Sequence, residues 1–171
     1  MKYNFETLIN RSKQGSSKWN LMKPGTPENI APFSVADVDM PLAPEIKNGL
    51  IKFLENDGRV ARILYPGLPD FPGYEVAKRQ MDYFGAMISF ELQEGLDTKK
   101  FVESLKVISL AESLGGIESL IEVPSVMTHG SIPREIRLEN GIKDELIRLS
   151  VGIEDEEDLI NYLKQALDKI G

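Results

Sequence analysis

Few residues in this chain have chemistry to offer. Arg148 sits in LIRLSV, where strand alternation sets Ile147, Leu149 and Val151 on one face and Arg148 and Ser150 on the other. A guanidinium fork pairs bidentately with a carboxylate, and a strand fixes the direction in which it points. By pattern alone Arg148 reads as an arginine on a solvated sheet face. The stretch AESLGGIESL (111–120) breaks a strand-like run with Gly115 and Gly116. Paired glycines supply backbone freedom and close approach, which suits a strand-to-loop corner or a ligand seat. Within it Ser113 reads as a turn serine and Glu112 as a surface acid. The only histidine is His129, in VPSVMTHGSIP. One histidine excludes the two-histidine zinc patterns, and nothing near it has nucleophile-elbow spacing. The absence of cysteine excludes disulfides, a thiol nucleophile and thiolate metal ligation.

The elements that must position these residues come from a chain of 171 residues, 42% hydrophobic and 27% charged, a composition that builds a globular core. A net charge of −7 argues against nucleic acid, and the pairs Lys99-Lys100 and Arg59/Arg62 are too small to form a basic patch. The start, MKYNFETLINRSK, has no apolar signal region and no run approaches a membrane span, so the sequence predicts a cytoplasmic protein. Residues 1–43 hold Trp19 and four prolines with little apolar periodicity, and read as an arm. PEIKNGLIKFLEN (44–56) predicts a helix, with Ile46, Leu50, Phe53 and Leu54 on one face. Strands are predicted over 59–65, 86–92, 106–110 and 146–151. Tyr74, Ala77, Met81 and Phe84 are spaced for one helix face, and Asp97 caps a helix over 97–105. A short helix precedes the last strand. The C-terminal EDEEDLINYLKQALDKI is an amphipathic helix, with Leu159, Leu163, Ala166 and Ile170 inward and acids at its positive end. Few strands with one apolar face each predict an α+β fold, a small antiparallel sheet with helices on one side.

From about residue 52 the chain resembles the C-terminal domain of the cystathionine γ-synthase/γ-lyase family, the pyridoxal-phosphate (PLP) enzymes of transsulfuration. The stretches that carry the resemblance are VARILYPGLPDFPGYEVAKRQM, FGAMISFEL, LKVISLAESLGGIESLIEVPSVMTH, SIPREIR and GIKDELIRLSVGIEDEEDLINYLKQAL. The front of the chain, NFETLINR, SSKWNLM and PFSVADVDMPLAPEIKNGL, is similar instead to the N-terminal arm of the MalY/PatB-type C–S lyases, also PLP-dependent. The resemblances divide the chain into an arm (1–43), a junction helix (44–55) and a transsulfuration C-terminal domain (56–171). They imply the small domain of fold-type-I PLP enzymes, and a homo-oligomer or a related PLP enzyme subunit as partner.

The family implies roles residue by residue. Arg148 matches the arginine that grips the substrate α-carboxylate, and Ser113 the serine that helps hold the cofactor lysine and that carboxylate. Glu112 matches a position at the substrate side-chain pocket, and Thr128 resembles a residue behind the carboxylate site. Ala36 matches a position whose backbone approaches the carboxylate in the second family. His129 is expected to brace its loop. PLP chemistry needs a Schiff-base lysine, an acid for the pyridine nitrogen and a phosphate cup. Neither family's lysine segment, phosphate turn nor Asp-Asn-Thr stretch occurs, and the thirteen lysines match neither motif. The sequence thus predicts that the large PLP-binding domain is missing between two fused pieces. PLP is then not held as an internal Schiff base, no residue of the chain is catalytic, and no metal is bound.

Overall fold

The computed structural model describes residues 44–81 and 83–171, together with Pro24, Gly25 and Pro27. The expected arm and Ala36 otherwise lie outside the described residues. Along the chain run α1 (Pro44–Asn56), β1 (Val60–Leu64), α2 (Tyr74–Gln80), β2 (Met87–Leu92), α3 (Thr98–Glu103), β3 (Ser109–Leu110), β4 (Leu120–Glu122), α4 (Arg134–Glu139), β5 (Leu146–Ser150) and α5 (Glu156–Leu167). The α+β expectation holds. One five-stranded sheet has the order β1-β2-β5-β4-β3.

Its centre is antiparallel. Ile88 faces Leu149 and Phe90 faces Ile147 across β2 and β5, while Ile121 faces Leu149 across β4 and β5. These side chains share one face, because residues two apart on a strand point the same way. Leu50, Ile51 and Leu54 of α1, Phe101 and Val102 of α3, and Leu159, Leu163, Ala166 and Leu167 of α5 close over that face as one core. Phe90 and Phe101 meet edge to face with centroids 6.2 Å apart. Burying each such side chain contributes roughly 1.5–3 kcal/mol, and this term holds the layers together. Asp97 caps α3 as predicted, accepting from the Lys100 N–H at 2.8 Å. Asp155 caps α5 in the same way, from the N–H groups of Glu157 and Asp158. Arg59 clamps the start of β1, bonding both oxygens of Asp57 at 2.8 and 2.7 Å and reaching Asp168 after α5 at 2.8 Å.

The structure corrects the sequence reading in three places. The strand expected over 106–110 shortens to Ser109–Leu110 and pairs in parallel with β4, so the sheet is antiparallel except at this edge. The strand β4 falls in LIEVP, three residues long, below the length at which alternation can be seen. Helix α2 ends at Gln80, leaving Met81 as its exposed C-cap and Phe84 outside it. Phe84 instead packs on Tyr65 and Tyr74, with ring centroids 6.4 and 6.3 Å away.

Candidate carboxylate-binding site

The sheet face opposite the core carries the candidate site. Antiparallel register places Arg148 on β5 directly between Ser89 of β2 and Glu122 of β4. Arg148 Nη1 donates to Glu122 Oε1 at 2.5 Å. The two ends of this pair differ sharply: the Arg148 side chain is 40% exposed, whereas Glu122 is 0% exposed. The second Glu122 oxygen, Oε2, is buried with no hydrogen-bond partner, the one such side-chain atom among the described residues. A buried carboxylate costs several kcal/mol unless paired, so Arg148 is what makes Glu122 tolerable there. Farther along the same face, Lys143 Nζ bonds Glu91 Oε2 at 2.6 Å.

The glycine loop is fastened to the end of β5. Gly115 has φ +98°, a conformation that side chains avoid, and its N–H donates to Ser150 Oγ at 2.9 Å. Gly152 must also be glycine, for a different reason. A Cβ there would stand 2.4 Å from the Ile117 carbonyl oxygen and 2.6 Å from the Glu118 carbonyl carbon. The Gly152 N–H donates to Ser119 Oγ at 2.9 Å, and the Ile153 N–H to the Ile117 oxygen at 3.0 Å. Glu154 completes the fastening by accepting from the Ser119 N–H at 2.6 Å and hydroxyl at 2.8 Å. The glycine pair is therefore a tied corner: Gly115 makes the turn, and Gly152 lets the loop lie flat on the chain that leaves β5.

Against this geometry the sequence candidates fall into two groups. Arg148 is on the face predicted for it, but that face is not solvated. Ser150, Glu91, Leu146 and Leu120 beside it are buried. Glu112 and Ser113 are exposed on the tied loop, and Thr128 is exposed in the turn after β4. None of these three is hydrogen-bonded to Arg148 among the described residues. Thr128 Oγ1 and His129 Nδ1 are 2.9 Å apart. The His129 N–H donates to the Pro124 oxygen at 2.9 Å and its own carbonyl accepts from Ile132 at 3.0 Å, both through the backbone. Sequence reasoning put Ser150 on the Arg148 face without a role for it, and missed Glu122, Ser119, Gly152 and Glu154. For Glu122 a signal existed: one acid between Leu120-Ile121 and Val123 is an acid inside a buried strand. Ser119 and Glu154 had none, since their partnership spans 35 residues.

PLP, implied by the resemblance, can be tested against these groups. An arginine suited to a substrate carboxylate is present, but the described residues do not fit the cofactor. Lys143, the lysine tied to this face, is held by Glu91, and the one unpartnered buried side-chain polar atom among the described residues is a carboxylate oxygen, wrong in charge to cradle a phosphate. No chemical step through the cofactor follows from them.

Comparison with known proteins meets this geometry. Cystathionine beta-lyase of Lactococcus lactis subsp. cremoris (strain MG1363) is 59% identical over 120 residues, 70% of this chain and 32% of that protein. Cystathionine gamma-lyase of Dictyostelium discoideum is 54% identical over 121 residues, again 70% of this chain and 31% of that protein. Among solved structures, cystathionine gamma-lyase from Lactobacillus plantarum complexed with L-serine matches with a TM-score of 0.70 and 56% identity, covering 74% of this chain and 33% of that one. The chain thus spans about a third of the length of the relatives it matches. A family model for Cys/Met metabolism PLP-dependent enzymes matches residues 43–168, so α1 lies inside the match together with the whole sheet. The chain belongs to the Cys/Met metabolism PLP-dependent enzyme family.

Proposed function

We propose that this chain is the carboxylate-gripping part of a transsulfuration enzyme of the cystathionine γ-synthase/γ-lyase kind, inert toward cystathionine by itself. The observation that carries the reading is Arg148, half-exposed on a strand and held from behind by buried Glu122, in a fold whose relatives include a cystathionine gamma-lyase complexed with L-serine. Ser113, Glu112 and Thr128 stand around that arginine in the ancestral site, and Ala36 belongs to an arm of MalY/PatB type joined in front of the domain. The lysine-bearing domain is the part this sequence lacks, so the chain neither holds PLP as an internal Schiff base nor moves a substrate proton. A positioned acid–base group contributes about 10²–10⁴-fold, and none is positioned here. An exposed arginine–carboxylate pair contributes roughly 0–1 kcal/mol. Millimolar binding needs about 4 kcal/mol, so half a pocket grips weakly.

The test adds PLP and L-cystathionine to the purified chain and assays pyruvate, 2-oxobutyrate and free thiol. No turnover is expected. Turnover that survives removal of host enzymes and vanishes in Arg148→Ala overturns the reading. A second reading, an interaction module that docks on a full-length PLP enzyme or completes a split C–S lyase, draws on exposed apolar residues near the site. Ile117 and Ile153, joined through their backbones, are each 57% exposed. Contiguous exposed apolar surface marks interfaces, and this pair is what such a surface would be built on. Light scattering tests it: a dimer or a mixed complex with a related PLP enzyme supports docking, and a monomer at high concentration counts against it.

A further inference from the structure

We infer that Glu122 is the positioning residue of the Arg148 carboxylate site: it fixes the plane of the guanidinium so that the donors it leaves free form a fork toward an incoming carboxylate. The inference rests on the carboxylate reading of Arg148 and adds a residue to which no role has been attached. Glu122 lies one strand away, directly opposite Arg148 in register, with Oε1 on Nη1 at 2.5 Å. It is fully buried while its partner is 40% exposed. Among the described residues this is the one side-chain hydrogen bond that Arg148 makes, so four of the five guanidinium N–H donors are left over.

The orphaned Oε2 argues that stability is not what this pair maximises. A buried pair retained for stability is expected to satisfy both oxygens, since a half-satisfied buried carboxylate is worse than an apolar side chain of similar size. Glu122 keeps one oxygen unbonded at zero exposure and spends the other on a single guanidinium nitrogen. The second possible holder on this face, Glu91, is engaged with Lys143. The Ser89 and Ser150 side chains make no hydrogen bond to Arg148 among the described residues. The orientation of the guanidinium therefore depends on Glu122.

Positioning and charge have opposite consequences when Glu122 becomes leucine, and this makes the role testable. Removing a negative charge beside Arg148 strengthens attraction for every anion alike. Freeing the guanidinium selectively weakens planar, two-oxygen anions, which need the fork, relative to a spherical ion. The experiment uses the full 171-residue chain labelled with 15N, as wild type, Glu122→Leu and Glu122→Gln. The Arg148 side-chain signals are followed during titration with sodium acetate and, separately, sodium chloride at matched concentrations. The expected result is a preference for acetate over chloride that falls about threefold or more in Glu122→Leu and is largely kept in Glu122→Gln, whose amide oxygen still accepts from Nη1. A preference unchanged or increased in Glu122→Leu overturns the inference, because a role in charge or packing alone predicts that. The Nη line shapes decide independently of any ligand. Restricted rotation in wild type that is lost in Glu122→Leu supports positioning, and identical line shapes overturn it. Should wild-type Arg148 prefer neither anion, the carboxylate reading fails while the line shapes still decide the role of Glu122. Unfolding temperatures measured alongside show that all three chains are folded.

Discussion

The two faces of the central sheet are built on opposite principles. On one, Ile88, Phe90, Ile147, Leu149 and Ile121 interdigitate with α1, α3 and α5, and these side chains carry no polar atom that needs a partner. On the other, the polar groups bond particular neighbours one to one: Arg148 with Glu122, Lys143 with Glu91, Ser150 with the Gly115 N–H. Both faces are largely buried, so exposure does not separate them. The first is non-directional and tolerates conservative exchange. The second depends on single hydrogen bonds and is changed qualitatively by removing one partner. A face of that kind is costly for a fold and useful for recognition.

The largest effect is expected on the apolar face. Phe90→Ala removes a fully buried ring that meets Phe101, and large-to-small changes of this type cost about 3–5 kcal/mol, measurable by urea denaturation. The polar face should break asymmetrically. Arg148→Met leaves Glu122 buried without its donor and is expected to cost about 3 kcal/mol. Glu122→Leu leaves Arg148 with access to water and should cost about 0 kcal/mol or stabilise the chain. Equal losses from the two substitutions would show that the pair behaves as a mutual surface contact and would erase the contrast between the faces.

That asymmetry explains what the sequence made legible. Period-2 apolar residues in β2 and β5 and period-3.6 residues in α1 and α5 mark the core face directly, because burial of one side is what alternation records. The site arginine was visible through its strand and through family likeness. Its surroundings were not, because the partners of a polar face are set by register and by contacts between distant segments. Glu122 and Arg148 are 26 residues apart, and Ser119 and Glu154 are 35 apart. The parallel β3–β4 edge escaped for a related reason, since strands of two and three residues carry too few positions for any pattern.

A middle-sized effect sharpens the contrast at the edge of the polar face. Gly152→Ala introduces a Cβ that would stand 2.4 Å from the Ile117 oxygen and must displace the loop carrying Glu112 and Ser113. Overpacking of this kind costs roughly 1–3 kcal/mol. Amide exchange should quicken at Gly115 and Ser119, whose N–H groups are bonded to Ser150 and Glu154, with little change at Phe90. Quickened exchange at Phe90 to the same degree would mean that the loop and the core open as one unit.

The smallest effect distinguishes the rim of the molecule from both faces. Three carboxyls at the rim are held below their ordinary value of 3.8: Asp57 by its hydrogen bonds to Arg59, Asp144 by Arg134 and then Arg137, and Asp168 by Lys164 and then Arg59. A carboxyl that is harder to protonate in the fold than in the unfolded chain stabilises the fold wherever it is ionised in both. That stabilisation is complete above the unfolded value, near pH 4, and disappears as the pH falls through the lower folded value. Unfolding temperature should therefore decline below about pH 4. Asp57→Asn tests the assignment, because it weakens the bidentate contact that holds Arg59, whose remaining nitrogen reaches Asp168 after α5. At pH 7 it should cost about 1 kcal/mol or less, as partly exposed pairs do. As the pH falls through the lowered folded value the wild-type carboxyl becomes neutral as well, so the gap between variant and wild type should shrink on acidification. A gap that keeps its full size throughout the acid titration would show that Asp57 acts through its shape and its hydrogen bonds to the Arg59 N–H groups rather than through its charge.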